Sequence, residues 1–248
     1  MVLSLINELN DFQTTMKKIL LLSSILIIIV MPLKALQNKY RNKEITLISF
    51  NIIIHSDTKK CLDSFENYFP AIKKSNADKI IAKIKEQAWG SIVDVLQREI
   101  GMIILPVNTF GDKISYDSYG FPDVNVSKAQ RKGYSKFYMK IEMQIGPEPA
   151  IQYPVSYKSK KDTTSQSGKL KAGEIKPVVT ITLTTYPDNG LVPLDKFIGV
   201  AESTTVWSTT NETILDGLIN TNVTTDLSNF MSLINEAVND LSINMLIE

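Results

Sequence analysis

Nine residues, Phe137-Tyr-Met-Lys-Ile-Glu-Met-Gln-Ile145, alternate without a break: Phe137, Met139, Ile141, Met143 and Ile145 fall on one side of a strand, Tyr138, Lys140, Glu142 and Gln144 on the other. Strand side chains have a period of two, so the run predicts a sheet with one apolar face and one polar face, as antiparallel sheets allow. Something else in the chain must cover the apolar face. Val178 to Tyr186 repeats the pattern, with Val179, Ile181 and Leu183 set against Thr180, Thr182 and Thr184, and a further strand is expected from Ile198 to Trp207. Ile45 to Ile54 is β-branched and shows no helical spacing, which predicts a strand buried on both faces.

Two helices supply the cover. From Ala77 to Ile100, apolar residues recur at Ile80, Ile81, Ile84, Ala88, Ile92, Leu96 and Ile100, steps of three and four that draw one stripe along a helix, and Gly101 stands as its stop. Leu227 to Leu246 repeats the spacing at Phe230, Ile234, Ala237, Val238, Leu241 and Met245, with Thr225 or Asp226 as the expected cap. Met102 to Val107 is a short apolar run expected as a strand parallel to the first, with Pro106 near its end or at an edge. The order β-α-β-β-β-β-α predicts an α+β two-layer sandwich, a mainly antiparallel sheet with two helices on one face.

Ahead of this domain, Met16-Lys-Lys precedes an apolar run that ends near Pro32 and Ala35, the pattern of a secretory signal peptide. The run is cut by Pro32 and Lys34 short of the roughly 20 residues a spanning helix needs. Residues 1–35 are therefore expected as a signal, with 1–15 a mis-assigned start, and 36–248 as a single exported domain, periplasmic or secreted, with no stable membrane span after cleavage. No cysteine lies between Met16 and Gln37, so no lipid anchor is expected there, and the single Cys61 forms no internal disulfide.

The residue inventory removes several chemistries. His55 is the sole histidine, which excludes zinc sites built from two or three of them, and no cysteine cluster replaces them. A triad would have to use His55 beside Ser56 and Asp57, where a polar residue closing a strand is the simpler reading. Cys61 has only Lys59, Lys60 and Asp63 near it in sequence, no convincing activating set. No glycine-rich phosphate cradle occurs. With 27 Lys and Arg against 26 Asp and Glu, scattered along the chain, no nucleic acid partner is expected, and no cofactor. Glu142 and Glu202 are the remaining carboxylate pair, and a glycosidase requires such groups about 5–10 Å apart.

The segment from Asn108 to Ser135 is too long for a simple connection. At its centre, Ile114-Ser-Tyr-Asp-Ser-Tyr-Gly-Phe-Pro-Asp123 gathers Tyr116, Tyr119 and Phe121 around Asp117. Long loops in compact domains often carry function, and tyrosine offers large contact area with a polar tip. The competing reading has these rings closing over the core. Tyr116, Asp117, Tyr119 and Phe121 are the candidate binding residues; no catalytic or metal residues are assigned.

The stretch from Leu105-Pro106-Val107 to Tyr119-Gly-Phe-Pro122, with the signal, helix and strand around it, resembles uncharacterised exported proteins found chiefly in Bacteroidota. The strand-helix-strand followed by an antiparallel meander and a closing helix is more remotely similar to CsgG-like and TolB-amino-terminal-like periplasmic domains. That resemblance implies a scaffolding role in the envelope. The expectation is a non-enzymatic interaction module whose partner is an unknown envelope protein or polymer. The alternatives are a carboxylate-dependent hydrolase of cell-wall or polysaccharide substrates and a small-ligand-binding protein.

Overall fold

The computed structural model describes residues 38–63, 76–146, 174–208, 212–215, 218 and 227–247. The signal segment and the expected cap at Thr225 or Asp226 lie outside them. The elements belong to one compact unit, Tyr40–Glu248. In chain order they are β1 (Glu44–Ile54), α1 (Ser56–Asp63), α2 (Asn76–Val95), β2 (Ile103–Ile104), α3 (Val126–Lys132), β3 (Phe137–Gly146), β4 (Glu174–Ile175), β5 (Val178–Pro187), β6 (Asp195–Glu202), β7 (Trp207–Ser208) and α4 (Phe230–Ile247).

The α+β class holds, but the sheet is mixed rather than mainly antiparallel. Its order is β2-β1-β3-β5-β6; β1 runs parallel to both β2 and β3, and β3, β5 and β6 run antiparallel. The parallel pairing follows from the chain between β1 and β3, which carries α2 across one face and so returns β3 in the same direction. β1 matches its expected span closely because it lies inside the sheet: Ile45, Leu47 and Phe50 are buried on the main core side and Ile48 on the other. A bulge between Leu47 and Ser49 turns two consecutive residues away from the main core.

Two long helices cover one face, as the apolar stripes require. Ile80, Ile84, Ala88 and Ile92 of α2 and Phe230, Ile234, Ala237, Val238 and Leu241 of α4 join Met139, Ile141, Met143, Val179, Ile181 and Leu183 in one core. α2 runs into a turn of π-helix at Leu96–Ile100, and Gly101 ends it in a left-handed conformation, φ 76°, its N–H bonding to Leu96 O. The left-handed region is open to glycine at little cost, which accounts for the stop. α4 starts later than its apolar spacing suggests, because Asn229 caps it: Asn229 Oδ1 accepts from Ser232 N–H at 2.8 Å.

The number of helices also departs from expectation. α1 and α3 are short and polar, so neither shows an apolar stripe, and α3 is set by a local cap. Asn125 Oδ1 accepts from Lys128 N–H at 2.8 Å to start α3. This helix lies on the face opposite α2 and α4, where Ala129 packs with Ile48, Phe110, Ile114, Val124 and Tyr138 in a second, smaller core. The face expected to be wet is therefore covered in part, and Thr180 and Thr182 on it are buried. The expected strand from Ile198 to Trp207 is divided into β6 and β7, the latter pairing with β4 in a separate two-stranded ribbon.

Candidate functional site

The aromatic segment folds as a hairpin along the edge of β1. Tyr116 and Pro122 bridge antiparallel, Asp123 N–H donates to Ser115 O at 2.9 Å, and Asp117 N–H donates to Phe121 O at 2.8 Å. The returning limb pairs with the sheet: Asp123 bridges Ser49, and Val124 N–H donates to Ile48 O at 3.1 Å. Asp117 organises the tip. Its Oδ1 accepts from both Tyr119 N–H and Phe121 N–H, each at 2.9 Å, and Gly120 takes the left-handed conformation, φ 84°, that the tight turn needs.

The other Asp117 oxygen bonds Lys85 Nζ, an ion pair whose lysine side chain is only 4% exposed and whose aspartate is 23% exposed. Lys85 comes from α2, and nothing in the apolar periodicity marks it. Its ammonium sits over three rings, 4.8 Å from the centre of Phe121, 5.3 Å from Phe50 and 5.4 Å from Tyr119. Phe121 meets Phe50 edge-to-face at 5.4 Å and Trp89 at 6.1 Å. A cation held over aromatic faces away from water contributes about 2 kcal/mol or more, and the carboxylate neutralises the charge that burial would otherwise penalise. The hairpin is thus clamped onto α2 through a buried ammonium.

The four candidate residues separate into different roles. Asp117 is the clamp's acceptor. Phe121 is buried in the main core at 8% exposure and serves as its aromatic wall. Tyr116 points to the smaller core, and its hydroxyl is buried without a hydrogen-bond partner among the described residues, so it offers no polar tip to a partner. Burial raises its phenol above the ordinary value, and Asp112 adds to the shift. Tyr119 is half-buried at the surface beside the groove; burial, then the negative charge of Asp78, raise its phenol.

Tyr119 stands at the edge of a groove of about 580 Å³ between the outer side of α2 and the hairpin tip. Ala82, Lys83 and Glu86 form one wall, Ser118, Gly120 and Phe121 the other, with Val107 between them. Lys83 Nζ donates to Glu86 Oε2 at 2.7 Å, pairing those charges with each other.

The carboxylate pair does not assemble. Glu142 pairs in register with Thr182 and Thr182 with Ile198, whereas Glu202 sits opposite Val178, which faces Gly146. The two acids share a face but stand two strands and four residues apart, roughly 16 Å on ordinary strand spacings. Glu142 accepts from Gln144 Nε2 at 2.8 Å, and Glu202 bonds Lys176. Asp117 lines a cavity with Glu142, yet both its oxygens are occupied by the clamp. His55 is exposed at the start of α1, with Asp57 N–H reaching its Nδ1 at 3.4 Å. No group of three or more metal-ligating side chains occurs among the described residues, and no described helix is long and apolar enough to cross a membrane.

No family model matches the chain, and no curated protein matches it. Among solved structures it aligns with a hypothetical protein from Chlamydia trachomatis at 10% identity and a TM-score of 0.36, over 84% of this chain and 99% of the other. It also aligns with the PelC dodecamer from Paraburkholderia phytofirmans (10%, TM-score 0.32, 83% and 91%). A third alignment is with a neuraminyllactose-binding hemagglutinin homolog from Helicobacter pylori (11%, TM-score 0.34, 86% and 85%).

Proposed function

We propose that the chain is an exported protein of the periplasm or the secreted fraction that acts by contact rather than catalysis, using the groove between α2 and the aromatic hairpin. One observation carries the reading. The hairpin tip is held rigidly by the Lys85–Asp117 pair, yet it leaves Tyr119 and an open groove of about 580 Å³ beside paired surface charges. Rigid aromatic contact residues bind at low entropic cost, since little freedom is left to lose. The two-layer envelope fold implied by the CsgG-like and TolB-like resemblance, and a partner that is an envelope protein or polymer, belong to this proposal.

The groove volume falls in the range of small-molecule sites, roughly 300–1,000 Å³, which favours a small apolar ligand as a second reading. A hydrolase gains no such support, because the Glu142–Glu202 spacing is too wide for one glycosidic bond. The test is recovery of partners from the native envelope fraction by the wild type and by Ala82→Trp, which fills the groove from the surface of α2, and Tyr119→Ala. Both variants should lose the partners. Identical recovery by all three would remove the groove from the account, and binding of a small hydrophobic molecule by the wild type alone would select the second reading.

A further inference from the structure

Among the described residues, β1 is covered along only half of its outer edge. β2 pairs with Glu44 and Ile45, and the hairpin takes over at Ile48 and Ser49. One residue further, the ladder would need an N–H opposite Phe50, and the hairpin places Pro122 there, which has none to give. The tip then turns inward to the Lys85 clamp and leaves the edge. On its other side β1 stays paired to β3 as far as Ile54 opposite Ile145, so the strand continues straight and extended past the point where its outer partner ends.

His55 N–H donates to Ile145 O at 2.9 Å, which puts the odd-numbered backbone groups of this stretch toward β3. Alternation sends those of Phe50, Ile52 and Ile54 to the open edge. Among the described residues no backbone hydrogen bond meets those of Ile52 and Ile54 there, whereas the N–H of Phe50 still faces the carbonyl of Pro122. The usual guards of such an edge are a lysine, a proline or a bulge within it, and Phe50-Asn-Ile-Ile-Ile54 has none of these. Ile53 is 48% exposed, and a cavity of about 470 Å³ runs alongside, reached by Ile52, Ile81 and Tyr119 on the helix side and by Asn51 and Glu142 on the other.

We propose that this edge accepts a strand from a partner: an extended peptide of about five residues that adds to the sheet outside β1 and carries a lysine or arginine opposite Asn51. The backbone of Ile52 and Ile54 supplies the ladder bonds, as in other strand additions. Side chains opposite Ile52 face Ile81 and Tyr119, and are apolar. Charge sets the remaining position. Within the cavity Lys85 is neutralised by Asp117, leaving Glu142 as the net charge, and Asn51 is in register with Glu142, so a cation opposite Asn51 reaches across it. Lys140 and Lys196 lie in the neighbouring hollow over β3 and β5, which Asn51 and Glu142 also line, and neither lysine lines this cavity. A second copy joined edge to edge about Ile52 would set Ile53 opposite Asn51 and leave Glu142 without a cation, which favours the peptide.

The experiment is amide-resolved hydrogen exchange on the whole chain with the end-blocked peptide Thr-Val-Thr-Val-Lys-Thr. The peptide should slow exchange at Ile52 and Ile54 by tenfold or more and leave Ile53, whose N–H faces β3, unchanged. A glutamate in place of the peptide's lysine should weaken the effect, Glu142→Lys should reverse that preference, and N-methylation of the peptide's valines should abolish protection. Ala82→Trp should not affect protection, which separates this edge from the groove. The proposal is overturned if Ile52 and Ile54 already exchange as slowly as Ile53 without peptide, if the peptide leaves them unchanged, or if protein concentration alone protects them, which would give the edge to a second copy.

Discussion

Removing charge from both sides of the Lys85–Asp117 pair should cost far less than the sum of the two single losses. In Lys85→Met the apolar stem is kept, and Asp117 retains two backbone N–H donors and 23% exposure, so the loss is reduced from the roughly 3–5 kcal/mol of a broken buried pair to about 2–3 kcal/mol. Asp117→Asn keeps an acceptor for Tyr119 and Phe121 but strands an ammonium that is 4% exposed among rings, and should cost about 3–5 kcal/mol. The double variant buries neither charge and should cost about 1–3 kcal/mol. The implied coupling is at least about 2 kcal/mol, measured as a double-mutant cycle from urea midpoints at constant slope. In a domain of this size Lys85→Met should also melt about 4–12 °C lower and Asp117→Asn about 6–20 °C lower. Additivity within about 0.5 kcal/mol would show that the ammonium does not depend on Asp117 and would refute the clamp.

Three further outcomes follow from packing and titration. Gly199→Ala places a Cβ 2.0 Å from Ala237 O and 2.6 Å from Leu241 N, forcing α4 off β6 at a cost of about 3 kcal/mol or more, whereas Gly90→Ala, with nothing within 4 Å on a helix, should stabilise by about 0.5–1 kcal/mol; equal effects in thermal melts would contradict the packing. Tyr116→Phe removes a buried hydroxyl that lacks a partner among the described residues, so stability should stay level or rise by up to about 1 kcal/mol, and a clear loss in urea titration would reveal a bond to that hydroxyl. Burial raises the phenols of Tyr119, Tyr138 and Tyr186 above 10.0, so the native state holds these protons longer than the unfolded chain; stability is intact below about pH 10 and falls as pH climbs above it. Tyr138→Phe should lessen that fall between about pH 9 and 11, and an unchanged slope would count against the burial.

What was legible in the sequence is what periodicity encodes. β3 and β5 alternate because one face packs on α2 and α4, and Ile80, Ile84, Ala88 and Ile92 are spaced as a stripe because they meet that face. Strand direction was not legible, since the pairing of β1 with β3 joins residues some ninety positions apart and no local signal records it. α1 and α3 were hidden because both are short and polar and carry no stripe; α3 rests on its Asn125 cap. The candidate site was half visible: the aromatic cluster and Asp117 stand out by composition, but their organiser, Lys85, lies in a helix where a lysine reads as solvated. Only the turn that brings Asp117 back to α2 makes that lysine the centre of the site. The wide spacing of Glu142 and Glu202 likewise emerged only from the register.

The most direct test of the contact account is photo-crosslinking in intact cells from Ser118, exposed at the hairpin tip, compared with Val192, which is 77% exposed in the loop between β5 and β6. A discrete adduct should form from Ser118, be absent from Val192, and vanish when Ala82→Trp fills the groove. No adduct from Ser118, or the same adducts from both positions, would contradict it.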